Sequence, residues 1–272
     1  HHFCESERLP CLFPNVEAPV DSEQDFYSIY FSKGLLLEAD VIGPQLRAGS
    51  SGGATHRLVQ VYIAGDSAEV AARRLVAQLP DGLQHVERAV ERGDAAALAQ
   101  AVAEAHAGDT LMLWLRPDDL RLLQTAPPIA AQVLLSGTLA GLEQAPLPAA
   151  WRSVARLTYP VDLPAARAVR MNYPLRWFQI RHVPVVAQRV QADTYLACGI
   201  VSEALNDMLD SFMRDFLVER IESMVSHRQL TGYYPRLGLA PGQRFASKGS
   251  YLVRFTEPSG VDVAPVSEWL VP

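Results

Sequence analysis

Between Arg57 and Tyr159 the chain alternates short apolar runs with helical segments, and this alternation most constrains its fold. Arg57–Ala64, Thr110–Leu115, Ala131–Leu135 and Ser153–Tyr159 are strand-like runs of Leu, Val, Ile and aromatic residues. Leu83–Val90 is ambiguous and reads as a weak strand. The intervening segments have helical spacing: Ser67–Leu79, with Asp66 or Ser67 as N-cap, then Asp94–Ala107, and Pro117–Thr125 with Pro in its first turn. Apolar strands separated by helices form a parallel sheet covered on both faces. Right-handed crossovers then make a Rossmann-like wound lobe over residues 36–160.

The flanks read differently. Phe3–Arg8 resembles the end of a helix, Leu9–Phe13 a short buried strand, and Phe26–Phe31 an aromatic strand. Gly34–Arg47 has helical spacing and stops before Gly49-Ser50-Ser51-Gly52-Gly53, which reads as a connector. Asp162–Pro184 is rich in Arg and aromatic residues and gives no clear period. Arg189–His227 is a long helical stretch with a possible break at Asp210-Ser211, and Ser250–Phe255 a closing strand. The expected organisation is a partial first lobe with its crossover (1–35), a second lobe (36–160) and a return to the first lobe (161–272).

Bulk properties exclude some classes. The 272 residues are 49% hydrophobic and 20% charged, the profile of a folded globular chain. A net charge of −6 argues against nucleic acid as a partner. No apolar run reaches the roughly 18–20 residues of a membrane span. Only two of the 24 basic residues are lysines, Lys33 and Lys248, which reads as codon bias. The three cysteines form no Cys-x-x-Cys pair. Cys4 and Cys11 are near enough in sequence to pair in an oxidising compartment, and Cys198 reads as a small buried hydrophobe.

Motifs for catalysis are missing. No Ser lies in Gly-x-Ser-x-Gly, the Gly49–Gly53 run lacks the Gly-Lys-Ser/Thr of a phosphate loop, and the histidines show no metal-ligand spacing. No cofactor or metal is expected. Candidate ligand-binding residues follow from position, because ligands of open α/β sheets sit at the carboxyl ends of the strands. Arg116, Asp118, Ser136 and Tyr159 end or follow strands of the wound lobe. Surface ion pairs, turn chemistry and core packing are their alternatives. Tyr30 and Ser32 lie where the chain enters that lobe, as an aromatic and hydroxyl wall or as hinge packing.

Tyr233–Phe255 (Tyr-Tyr-Pro-Arg-Leu-Gly-Leu-Ala-Pro-Gly-Gln-Arg-Phe-Ala-Ser-Lys-Gly-Ser-Tyr-Leu-Val-Arg-Phe), Pro-Cys-Leu-Phe-Pro (Pro10–Pro14) and Tyr-Phe-Ser-Lys-Gly (Tyr30–Gly34) together carry a resemblance. They resemble the periplasmic solute-binding proteins of branched-chain amino-acid and amide ABC importers, in a divergent branch. The resemblance implies the type I periplasmic binding fold, α/β with two Rossmann-like lobes, and a start inside the first lobe. Ligand contacts that relatives place in the missing N-terminal part would then have no counterpart here. It further implies a small polar solute as ligand, an inner-membrane ABC permease as partner, a periplasmic location and no catalysed reaction. His1–Glu5 has neither the basic nor the apolar region of a signal peptide. A ligand-sensing domain of a signalling or alcohol-oxidation system is the main alternative, and a soluble α/β enzyme the weaker one.

Overall fold

A computed structural model of the chain describes residues 1–20, 25–47, 57–130, 132–209, 212–227 and 232–272. The Gly49–Gly53 connector and the Asp210-Ser211 break lie outside the described residues. The strands are β1 (Cys11–Leu12), β2 (Ser28–Ser32), β3 (Arg57–Ile63), β4 (Gln84–Val90), β5 (Thr110–Trp114), β6 (Gln132–Leu135), β7 (Ala155–Tyr159), β8 (Phe245–Ser247), β9 (Tyr251–Phe255) and β10 (Val263–Pro265). The helices are α1 (His2–Ser6), α2 (Leu35–Arg47), α3 (Ala68–Val76), α4 (Ala95–Ala103), α5 (Pro117–Leu120), α6 (Gly137–Ala140), α7 (Ala149–Val154), α8 (Pro164–Ile180), α9 (Gln188–Asp207) and α10 (Arg214–His227). Two compact units result: His1–Lys33 with Val161–Lys248, and Gly34–Pro160 with Gly249–Pro272.

The second unit is built on a seven-stranded sheet of order β10-β9-β7-β6-β5-β3-β4. Its five strands from β3 to β7 are parallel, as their sequence alternation requires. Every residue of β5 is buried, which is why it reads as an unbroken apolar run. Polar β4 pairs with β3 at the edge, and half-solvated side chains explain its weak sequence signal. Leu35, Ala39 and Ile42 of α2 and Ala68, Ala71, Ala72 and Leu75 of α3 pack with Leu58, Met112 and Trp114 of the sheet. Within this core Gln60 is satisfied on both sides. Its Oε1 accepts from Trp114 Nε1–H (2.9 Å), and its Nε2 donates to the Ala72 carbonyl (3.2 Å).

The end of the chain departs from the expected organisation. β9 runs antiparallel to β7, with Leu157 opposite Val253, and β10 adds antiparallel to β9. Residues 249–272 therefore extend the second unit's sheet, and the return to the first unit ends at Lys248.

The first unit holds a parallel sheet of order β1-β2-β8. Phe13 stacks on Phe31 (centroids 4.2 Å apart), and Phe31 on Tyr234 (5.6 Å). Buried Arg244 ties this sheet to α10, pairing with Glu222 and donating to the Phe26 carbonyl (2.9 Å). Tyr27 donates its hydroxyl to Asp215 of the same helix (2.6 Å). Cys4 and Cys11 form a disulfide with Cα atoms 6.0 Å apart, which pins α1 to β1. Cys198 is exposed on α9, contrary to its apolar sequence context, because it lies off the buried row Ala192, Leu196, Ile200 and Ala204.

Candidate functional site

The strand order of the second unit defines where a ligand crevice belongs. The chain passes from β3 to its neighbour β4, then crosses to β5 on the other side of β3. The reversal puts the topological switch point between β3 and β5, and ligands of wound sheets bind at the carboxyl ends of such a pair. Asp66 follows β3 and Arg116 follows β5, so the fold brings them together at this point.

The Arg116 guanidinium grips Asp66 in fork geometry, Nε to Oδ2 at 2.8 Å and Nη2 to Oδ1 at 2.9 Å. Arg92 adds a third bond to Asp66 Oδ2 (2.6 Å). The Ala68 N–H donates to Oδ1 (3.3 Å), so Asp66 also serves the start of α3. The Arg116 bonds chiefly hold the Asp66 carboxyl well below the usual carboxylate range, against the opposing effect of burial. Buried Asp119 accepts from the Arg116 N–H (3.4 Å), which fixes the backbone that carries the guanidinium. Asp118 points to solvent and pairs with Arg121, away from this cluster.

A second polar cluster lies at the ends of β6 and β7. Ser136 is buried and caps α6, accepting from the Leu139 N–H (3.2 Å). The Gly137 N–H donates to Thr158 Oγ1 (3.0 Å). Glu38 of α2, fully buried, accepts from the Thr138 N–H at its Oε1 (2.9 Å). Burial raises the Glu38 pKa, opposed by hydrogen bonds to the Ser136, Thr138 and Thr158 side chains. Tyr159 is buried too, donating its hydroxyl to Glu143 (2.5 Å) while its N–H donates to Ser250 Oγ (2.8 Å). Ser136 and Tyr159 thus stand at adjacent strand ends, both inside the packed unit.

In the first unit, Tyr30 pairs with Phe245 and Ser32 with Ser247 across β2 and β8. The Tyr30 and Phe245 rings stack at 5.3 Å, and Lys33 Nζ lies 5.2 Å from the Phe245 centroid. Burial raises the Tyr30 phenol pKa.

Sequence reasoning named Arg116, Asp118, Ser136 and Tyr159 and missed Glu38 and Thr158. Glu38 follows Leu35-Leu36-Leu37 and precedes Ala39, and by itself it reads as an ordinary helical acid. Among the described residues, His1, Glu5 and Asp25 bring possible metal-ligand atoms within 4.8 Å of one another. These atoms have other duties. His1 bonds Asp25 (2.8 Å), and Glu5 Oε2 accepts from the Phe26 and Tyr27 N–H groups (3.0 and 3.2 Å).

An α/β chain of two units, one carrying a wound sheet with its charged pair at the switch point, has the type I periplasmic binding protein fold. Solved structures of that fold match it along its length. A branched-chain amino-acid ABC transporter protein from Thermus thermophilus with bound valine matches 100% of this chain and 74% of its own, at TM-score 0.63 and 14% identity. A leucine-binding protein from Thermotoga maritima matches 100% and 75%, at TM-score 0.63 and 14% identity. A fatty-acid ABC transporter substrate-binding protein from Thermomonospora curvata matches 100% and 71%, at TM-score 0.61 and 17% identity. No protein-family model matches the chain. No curated protein matches it either. No helix among the described residues is long and apolar enough to cross a membrane.

Proposed function

We propose that this chain is an extracytoplasmic solute-binding protein that captures a small, amino-acid-like solute and delivers it to an ABC importer. The observation that carries this reading is the backbone match over the whole chain to ABC transporter substrate-binding proteins. Their named ligands, valine, leucine and a fatty acid, share a carboxylate and an aliphatic part. Arg116 is a cation at the switch point where a solute carboxylate would dock, and Asp66, which fills its fork in the structure, is the counter-ion such a carboxylate would compete with. Ser136 and Tyr159 serve as support for the neighbouring strand ends. In the first unit the stacked Tyr30 and Phe245 rings, with Ser32 at the strand end, supply an aromatic and hydroxyl wall. Capture then works by population shift: a solute touching both units favours the arrangement in which both contacts form. The reading needs no nucleophile and no cofactor.

A thermal-shift titration tests it. Valine, leucine, short carboxylates, medium-chain fatty acids and alcohol-oxidation products are added separately. A saturable rise of the midpoint with one class, following ln(1 + [L]/Kd), supports capture and names the class. The same shift in Arg116→Gln excludes Arg116 as the anchor. A flat response of folded protein across the panel speaks against the solute reading.

A further inference from the structure

Asp66 is shared by two arginines, and they are not equivalent. Arg116 meets it with the side edge of its guanidinium, Nε to Oδ2 and Nη2 to Oδ1. A solute carboxylate reaching that edge must displace Asp66, which is nearly buried and also accepts from the Ala68 N–H. Arg92 meets Asp66 end-on instead. Its Nη2 donates to Asp66 Oδ2 (2.6 Å), and its Nη1 lies 3.7 Å from Asp119 Oδ2. Its Nε–H makes no hydrogen bond among the described residues. The side edge that Asp66 fills in Arg116 is therefore open in Arg92.

Burial gives this cluster a direction. The Asp66 and Asp119 side chains are 6% and 2% exposed, those of Arg116 and Arg92 30% and 53%. Negative charge lies inside and positive charge outside, although the four formal charges cancel. The buried carboxylates hold the guanidiniums by charge-assisted bonds, so an incoming anion does not have to order them. The backbone under Arg92 is fixed as well. The Val90 carbonyl at the end of β4 accepts from the Ala64 N–H (2.9 Å), and the Asp94 N–H donates to the Glu91 carbonyl (3.2 Å). Gly93 supplies the φ of +84° that this turn requires. Asp94 then caps α4, accepting from the Ala97 N–H (2.9 Å). Arg92 thus stands on the strand end next to the β3/β5 switch point, at the carboxyl end of the same sheet.

We infer that Arg92 is the cation that receives the solute carboxylate, through its open Nε edge, while Arg116 stays paired with Asp66. The inference rests on the solute-capture reading and narrows it: the second unit selects solutes that carry an ionised carboxylate and discriminates against the matching amides. Arg116 then acts as a positioning residue, keeping Asp66 in place beneath Arg92.

Two measurements on the full-length protein test it. The first follows the Arg92 Nε–H resonance by NMR, assigned by its loss in Arg92→Lys, during titration with acetate and separately with acetamide. Acetate should shift it saturably, and acetamide should not. The shift should exceed that of Arg73, an exposed arginine paired only along its own helix. This arm does not depend on which solute the protein carries. An unmoved Arg92 resonance overturns the proposal, because the edge is then covered or otherwise engaged. An equal response to acetamide, or an equal shift at Arg73, means an adventitious ion only and overturns it too. The second measurement titrates valine and butyrate against valinamide and butyramide by calorimetry. Wild type should prefer the carboxylates. Arg92→Gln should weaken carboxylate binding about tenfold and bring it level with the amides. Arg92→Lys keeps the charge but loses the fork, and should fall between the two. An Arg92→Gln protein that keeps the wild-type preference overturns the inference and leaves solute capture standing. A wild type that binds none of the four while its Arg92 resonance answers acetate counts against solute capture and supports Arg92 as a carboxylate seat.

Discussion

Arg116 and Asp66 meet through two bonds, 2.8 and 2.9 Å long, although 50 residues separate them in the chain. The contact exists because β3 and β5 lie side by side after the chain has crossed over. Asp66 is nearly buried, so removing its charge leaves Arg92 and Arg116 facing a weaker acceptor. Asp66→Asn should cost about 1–3 kcal/mol at pH 7. The sign with pH follows from the lowered Asp66 pKa. A depressed carboxyl contributes stability above its unfolded pKa, ~3.9, and loses it as pH falls through the folded value. The gap between wild type and Asp66→Asn should therefore shrink below about pH 4. Denaturant melts of both proteins at neutral and acid pH check this; a gap independent of pH contradicts the ion-pair account.

Gly137 owes its identity to contact rather than to backbone conformation. A Cβ placed there would lie 1.8 Å from the Thr158 carbonyl oxygen. The clash is with backbone, so no rotamer relieves it, and β6 and β7 would have to separate. Gly137→Ala should cost roughly 3 kcal/mol or more. Gly65, with φ +72° and open space around its Cβ position, makes the comparison. Gly65→Ala should cost less, about 1 kcal/mol, through backbone strain alone. Thermal melts of the two variants measure the difference, and equal losses would remove the steric argument.

The parallel sheet was legible because both its faces are covered, so β3, β5 and β6 carry their identity in composition alone. The strand-end positions were legible for the same reason. Other features were hidden by physical causes. β9 looks like any short strand, and nothing local says that it pairs antiparallel with β7 across the residues from Pro160 to Ser250. Helix α8 has apolar residues inside and outside, which erases the amphipathic period that marks a surface helix. Glu38 resembles a solvent-facing helical acid until the chain, 100 residues later, brings the Thr138 N–H to it. Arg116 follows from its position after a strand, but its partner Asp66 reads from the sequence as a helix cap.

Glu38 lets the role of that buried carboxyl be separated from its charge. Its Oε1 accepts the Thr138 N–H, and burial favours the protonated form. Glu38→Gln keeps an acceptor and a similar shape, so its effect at neutral pH should be small or stabilising. Glu38→Ala leaves the Thr138 N–H without that acceptor and opens a cavity. It should cost about 2–4 kcal/mol. A raised folded pKa means stability that is complete below the unfolded value, ~4.3, and declines as pH rises toward the folded one. Glu38→Gln should thus gain on wild type as pH increases from about 4 to 8. Chemical denaturation across that range reads the trend, and Gln behaving like Ala would show that the ionised carboxylate is the required species.

Asp193 gives the most direct pH test because its shift is large and its setting simple. It lies buried on α9, and burial pushes its pKa up to about 7. Arg189, one turn earlier on the same helix, opposes the shift electrostatically, and the Tyr234 hydroxyl donates to Oδ2 at 3.4 Å. Tyr234 also stacks on Phe31, so the carboxyl is coupled to the aromatic layer over β2. The folded pKa lies above the unfolded one, ~3.9, so the protein is most stable with Asp193 protonated. That contribution is fully present below about pH 4 and is lost as pH rises through 7, amounting to roughly 2–4 kcal/mol. Asp193→Asn imitates the protonated form and should remove this slope. Wild type and variant should be alike near pH 4, and the variant the more stable at pH 8. Unfolding free energies at these two conditions decide the matter, because a variant that is less stable at pH 8 would mean the ionised form is held by contacts stronger than the Tyr234 bond.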